Sequence, residues 1–130
     1  MEREQISLTA AEWNVMECLW EDGSRPKTGR EVAARLAESA GWSRSTALTM
    51  LARMEKKGLV ASDDTGKKKS YRPLAERSEA VQTETSSFLN RVYRGSVQAL
   101  LSAVTEQAEL TDSDLEDLYA ILDRRREEKL

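Results

Sequence analysis

Apolar residues recur at helical spacing along most of this chain. Between Ala10 and Glu21, Trp13, Met16, Leu19 and Trp20 line one face, with Val15 beside them and Cys18 on the flank. Thr9 and Glu12 stand at capping-box spacing, and Leu8 and Trp13 occupy the two positions of a hydrophobic staple, so the helix is predicted to begin at Ala10. Glu21-Asp22-Gly23-Ser24 breaks it. Val32, Ala33, Leu36 and Ala37 then form a narrow stripe of small residues on a second helix over 29–39. Thr28 and Glu31 repeat the capping spacing there, and Pro26 holds the approach extended. A third helix is predicted between Ser43 and Gly58. Ser43 caps its first turn, Ala47, Met50, Leu51 and Met54 are its apolar stripe, and Gly58 supplies the left-handed stop.

After Gly58 the period shortens. Leu59-Val60-Ala61-Ser62 and the run from Lys67 to Pro73, joined by Asp63-Asp64-Thr65-Gly66, predict a β-hairpin whose second strand ends at Pro73, as on a sheet edge. From Glu76 helical spacing returns through Val81, Thr85, Phe88, Leu89, Val92 and Tyr93. Gly95 marks a break, and Val97, Leu100, Leu101 and Val104 resume the pattern. Thr111, with Asp114 three residues on and Leu110 facing Leu115, opens a last helix whose stripe is Leu115, Leu118, Tyr119 and Leu122.

The expected fold is mostly α with a small β-hairpin. A winged helix-turn-helix domain covers residues 1–74, and a helical dimerisation segment covers 75–130. That second segment, about 55 residues of amphipathic helix, buries too little core to stand alone. A second copy of the same helices, in a two-fold dimer, would cover its apolar faces most fully. The stripes do not repeat as clean heptads, so a parallel coiled coil is not expected.

Charge sharpens this picture. The whole chain has net charge −3, yet residues 43–72 hold 8 basic and 3 acidic side chains. The positive field is therefore local, which is the form a phosphate backbone would feel. The outer face of the third helix carries Ser45, Thr49, Ala52 and Lys56, flanked by Leu48 and Arg53, with no carboxylate among them. An ordinary surface helix could look the same. The hairpin that follows favours a DNA reader with a wing. Lys67, Lys68 and Lys69 would then grip phosphate, against the plainer reading that they keep an edge strand soluble. Arg124, Arg125 and Arg126 suit the dipole at the end of the last helix.

The chain has no His, and Cys18 is its only Cys. Internal disulfides, His-based acid–base catalysis, Ser–His and Cys–His nucleophile pairs and Cys/His zinc clusters are thereby excluded. No catalytic site, metal site or cofactor is expected. MEREQISL does not read as a signal peptide and no apolar run approaches a membrane span, so a cytoplasmic protein is expected. Two functions compete: a DNA-binding regulator, and a winged helix used as a protein-interaction adaptor whose basic face meets an acidic partner.

LTAAEWNVMECLW at 8–20, WSRSTALTMLARMEKKGLV at 42–60 and KKKSYRPL at 67–74 resemble the penicillinase-repressor family (BlaI/MecI/CopY type), as do FLNRVYRGSVQALLS at 88–102 and LTDSDLEDLYAIL at 110–122. The resemblance implies a winged-helix repressor that binds a palindromic double-stranded operator as a homodimer. It puts base reading on Arg44, Ser45, Thr46 and Leu48 and phosphate contact on Thr49. Arg53 and Lys56 would add sequence-independent affinity, and the wing contacts would fall on Lys67, Lys68 and Lys69 with Arg72 beside them. The family often has an Arg or Lys among these reader positions where this chain has Leu48, so this chain is expected to read a different sequence or to rely on contact with a thymine methyl there. Dimerisation would involve Phe88, Leu89, Tyr93, Leu100, Leu101, Leu115, Leu118, Tyr119 and Leu122. The bond cut by a regulatory protease in the β-lactam branch matches Ala103–Val104, where that branch has Asn-Phe. The four-Cys copper cluster of the copper branch has no counterpart here.

Overall fold

The computed structural model describes residues 7–130; residues 1–6, most of the stretch expected not to be a signal peptide, lie outside them. The elements in order are α1 (Ala10–Ser24), β1 (Lys27–Thr28), α2 (Gly29–Ala40), α3 (Arg44–Lys56), β2 (Val60–Asp63), β3 (Ser70–Pro73), α4 (Arg77–Tyr93), α5 (Val97–Gln107) and α6 (Asp112–Glu128). The chain divides into two compact units between Ser86 and Ser87, inside α4, where the composition had suggested a change of segment after Leu74.

In the first unit the helix starts lie where the caps require. Thr9 Oγ1 accepts from the Glu12 N–H at 3.1 Å while Glu12 Oε1 accepts from the Thr9 N–H at 2.9 Å. Thr28 and Glu31 repeat this at α2, and Ser43 Oγ accepts from the Thr46 N–H at α3. Regular helix in α1 ends before Glu21, and the chain turns through positive φ at Asp22, Gly23 and Ser24. Gly58, at φ 81°, provides the left-handed stop after α3.

The buried arc of α1 differs from the expected stripe. Val15, Met16, Cys18 and Leu19 are buried, whereas Trp13 and Trp20 are only partly covered. Helices α2 and α3 and strand β3 all pack on α1, so its buried arc is wider than one amphipathic stripe and turned towards Val15 and Cys18. The indoles border that arc, edge to face at 5.7 Å, and Trp20 Nε1 donates to the Ala75 carbonyl at 2.9 Å. Cys18, expected on the flank of the stripe, is 2% exposed. On α2, Val32, Ala33 and Leu36 enter the core, but Ala37 faces solvent. On α3, Ala47, Leu51 and Met54 are buried and Met50 is partly so.

The hairpin forms, and it gains a strand the sequence did not announce. The sheet is antiparallel with order β1-β3-β2. Lys27 pairs with Tyr71 and Thr28 with Ser70, so β3 is the central strand and not an edge. Pro73 is tolerated because β1 is already finished at its level; there it faces only Val60 on β2.

The second unit contains the end of α4, then α5 and α6. Arg94 and Gly95, both at positive φ, separate α4 from α5 as the Gly95 break predicts. Ser96 caps α5, and Thr111 with Asp114 caps α6 reciprocally. No residue from Ser87 to Leu130 is buried.

Candidate nucleic-acid interface

The core stripe of α3 turns its other side outwards. Arg44, Ser45, Thr46, Thr49, Ala52, Arg53 and Lys56 are exposed, and Leu48 is 36% exposed. Arg44, Arg53 and Lys56 make no salt bridge with any described residue, so their charge is available to a ligand. Ser43 Oγ donates to Thr46 Oγ1 at 3.0 Å, which orients the Thr46 hydroxyl at the helix start. Leu48 is held from behind. A Cβ on Gly29 would lie 3.0 Å from Leu48 Cδ2 and 3.6 Å from Tyr71 Cε2, so the bare α-carbon of Gly29 lets both side chains converge at the start of α2.

The wing loop between β2 and β3 carries Lys67, Lys68 and Lys69 on exposed backbone. Its turn is tied by Asp63, which accepts from the Thr65 hydroxyl at 2.6 Å and the Thr65 N–H at 2.8 Å. Those two bonds, hydroxyl first, hold the Asp63 carboxyl below its usual range. Lys67, Lys68 and Arg72 make no salt bridge with any described residue. Lys69 differs: its Nζ lies 3.8 Å from Glu55 Oε1 and 5.6 Å from the centre of the Tyr71 ring.

Three polar side chains that the sequence reading did not single out fix this surface. Glu55 accepts from Ser62 Oγ at 2.5 Å. Lys57, after the last turn of α3, donates to Glu12 Oε2 at 2.6 Å and ties α3 to the first turn of α1. Burial pushes the Glu12 carboxyl up, but the Lys57 ammonium and the Thr9 N–H outweigh it and leave the group below its ordinary value. Lys27, 5% exposed on β1, donates to the Glu21 carbonyl at 2.8 Å and the Leu19 carbonyl at 3.5 Å, satisfying the open end of α1. Basic residues in the last turn are the usual signal for such a cap; here the cation arrives from the following strand. Burial pushes the Cys18 thiol up, which leaves it a poor nucleophile.

In the second unit Leu101, Leu115, Leu118, Tyr119 and Leu122 are brought together, with Thr105, around a groove of about 150 Å³ between α5 and α6. Phe88 and Tyr93 meet edge to face at 5.7 Å on α4. Leu89, Tyr93, Leu100 and Leu118 are partly covered, while Tyr119 and Leu122 are 67% and 53% exposed. Ala103 is partly covered and Val104 exposed, both within α5. Among the described residues no group of three or more His, Cys, Asp or Glu side chains is placed to hold a metal ion, and no helix is long and apolar enough to cross a membrane.

Comparison with known proteins adds an independent line. A family model described as penicillinase repressor matches residues 8–124. The penicillinase repressor of Bacillus licheniformis is 30% identical over 122 residues, covering 94% of each chain. The methicillin resistance regulatory protein MecI of Staphylococcus aureus (strain N315) is 26% identical over 125 residues, 96% of this chain and 100% of that one. Among solved structures, the Bacillus licheniformis BlaI monomeric form in complex with the blaP half-operator matches with a TM-score of 0.50 and 30% identity. The match covers 58% of this chain and 90% of that chain.

Proposed function

This chain belongs to the penicillinase repressor family, and from that membership we infer that it is a DNA-binding transcriptional repressor rather than an enzyme. We propose further that it acts as a homodimer on a two-fold operator. The observation that carries the DNA reading is the outer surface of the first unit, where α3 cations that pair with no described carboxylate adjoin a lysine-bearing wing. Helix α3 enters the major groove. Arg44, Ser45, Thr46 and Leu48 meet base edges, Leu48 against a thymine methyl, and Thr49, Arg53 and Lys56 meet the backbone. Lys67, Lys68 and Arg72 hold phosphate beside the groove, and release of counterions there supplies affinity common to all sequences.

The homodimer rests on the second unit. Its apolar side chains, Leu101, Leu115, Tyr119 and Leu122 among them, are exposed in the single chain, and a second copy offers them a matching surface. A release protease would meet Ala103–Val104 inside α5, so the helix must unwind locally before that bond can enter an active site. A repressor works where its DNA is, which puts this protein in the cytoplasm.

The test is selection of duplexes from a random-sequence pool, followed by anisotropy titration and sedimentation. Enrichment of a two-fold symmetric site, bound by two copies of the chain, is the expected result. Enrichment of no sequence, with equal affinity for every duplex, overturns the operator reading. One copy per site overturns the homodimer.

A further inference from the structure

Glu55 is the one carboxylate of the reader helix, and its position is costly for a DNA-binding surface. It lies in the segment 43–72, where most charged side chains are basic. It shares a side of α3 with Arg44 and Leu48, because positions four and eleven residues apart fall on one face of a helix. A carboxylate there repels phosphate. Both of its oxygens are nonetheless engaged, one on each arm of the wing. Oε2 accepts from Ser62 Oγ on β2 at 2.5 Å, and Oε1 lies 3.8 Å from Lys69 Nζ, in the residue before β3. Lys69 Nζ also sits 5.6 Å from the Tyr71 ring centre, and Tyr71 is the β3 residue in register with Ser62. Tyr71 is 9% exposed and converges with Leu48 on Gly29. One acid thus joins the reader helix to both arms of the hairpin.

We propose that Glu55 is a positioning residue that locks the wing against the reader helix, so that base-reading and phosphate-gripping groups reach one duplex in a fixed relation. The proposal rests on the DNA reading given above. The covalent link between α3 and β2 is only residues 57–59, which fixes where the hairpin starts but not how it tilts. Pairing with β1 and packing on α1 hold β3, and the bonds of Glu55 set the tilt of the hairpin against α3 itself. Lys69 is held by this arrangement, so Lys67 and Lys68 are the wing lysines left for phosphate.

The sign of one substitution separates this role from plain charge. Removing a carboxylate near phosphate raises affinity for every duplex if electrostatics alone acts. If Glu55 positions the wing, Glu55→Ala lowers affinity for the selected duplex by about three- to tenfold, the net scale of one ordinary hydrogen bond, without a matching loss on a random-sequence duplex. Ser62→Ala, which changes no charge, lowers the same ratio in the same direction. Glu55→Gln keeps an oxygen acceptor for Ser62 and restores part of it. Amide hydrogen exchange of the DNA-free protein gives a second readout: β2 and β3 exchange faster in Glu55→Ala while the amides of α1 and α2 do not.

A rise in affinity for both duplexes by one common factor, or unchanged exchange in β2 and β3, overturns the proposal while leaving the repressor reading intact. Failure of the unaltered chain to select any duplex overturns both.

Discussion

Removing the Lys57 ammonium tests how α3 is fastened to the rest of its unit. Lys57 Nζ lies 2.6 Å from Glu12 Oε2, and the Glu12 side chain is 6% exposed against 51% for Lys57. In Lys57→Met the stem of the side chain remains. Glu12 keeps the bond from Thr9 through Oε1, but Oε2 is left charged with little access to water. A charge-assisted bond to a nearly buried carboxylate is worth about 1.5–3 kcal/mol, and the solvent around the exposed lysine reduces this to about 1–2 kcal/mol. For a unit of this size each kcal/mol lowers Tm by about 4–8 °C.

The pH dependence makes the test specific. The folded-state value of Glu12 lies below its unfolded one, so its stabilising contribution is complete above about pH 4.3 and is lost as pH falls through the lower folded value. Once Glu12 is protonated, Lys57 has no charge to meet. The penalty of Lys57→Met is therefore expected in full at pH 7 and to shrink as the pH falls below the ordinary carboxylate range and through the lower folded value, read from thermal or urea unfolding at one fixed protein concentration. A penalty that does not shrink on acidification, or none at pH 7, would refute the reasoning.

Three further outcomes are expected. Lys67→Ala combined with Lys68→Ala weakens binding to every duplex and makes the slope of log K against log salt shallower by about 1–2, read by anisotropy across a salt series. Lys27→Met leaves the carbonyls of Leu19 and Glu21 without their donor and costs about 1–3 kcal/mol, read from the urea midpoint; an unchanged midpoint means that Lys27 does not cap α1. Leu118→Asp places a charge in the groove between α5 and α6, and sedimentation is expected to show single chains with sharply reduced operator affinity.

Much of the architecture was legible because its signals are local. Thr9 with Glu12, Thr28 with Glu31, Ser43, and Thr111 with Asp114 each announce a helix start within four residues, and each cap forms. Gly58 and Gly95 announce breaks in the same way. What escaped depends on partners distant in sequence. Strand β1 is two residues long, too short for any alternation to show, and exists only because β3 is there to pair with it. The turn of the α1 arc towards Val15 and Cys18 follows from three neighbours packing at once, which a single helical stripe cannot express. Lys27, Lys57 and Glu55 look like ordinary surface charges in the sequence. Their bonds to Glu21, Glu12 and Ser62 need the tertiary fold. The outward face of α3, by contrast, needed only the apolar stripe, since whatever lies opposite a core stripe must face outwards.

The wet tail of the single chain has a consequence for dosage. If side chains from Ser87 onwards find shelter only against a twin, the amount of working repressor follows the square of its abundance while pairs are scarce. Halving the cell's stock would then leave about a quarter of the pairs. A promoter governed this way switches sharply as dilution by growth, or slow turnover, thins the supply, and it needs no small-molecule inducer to do so.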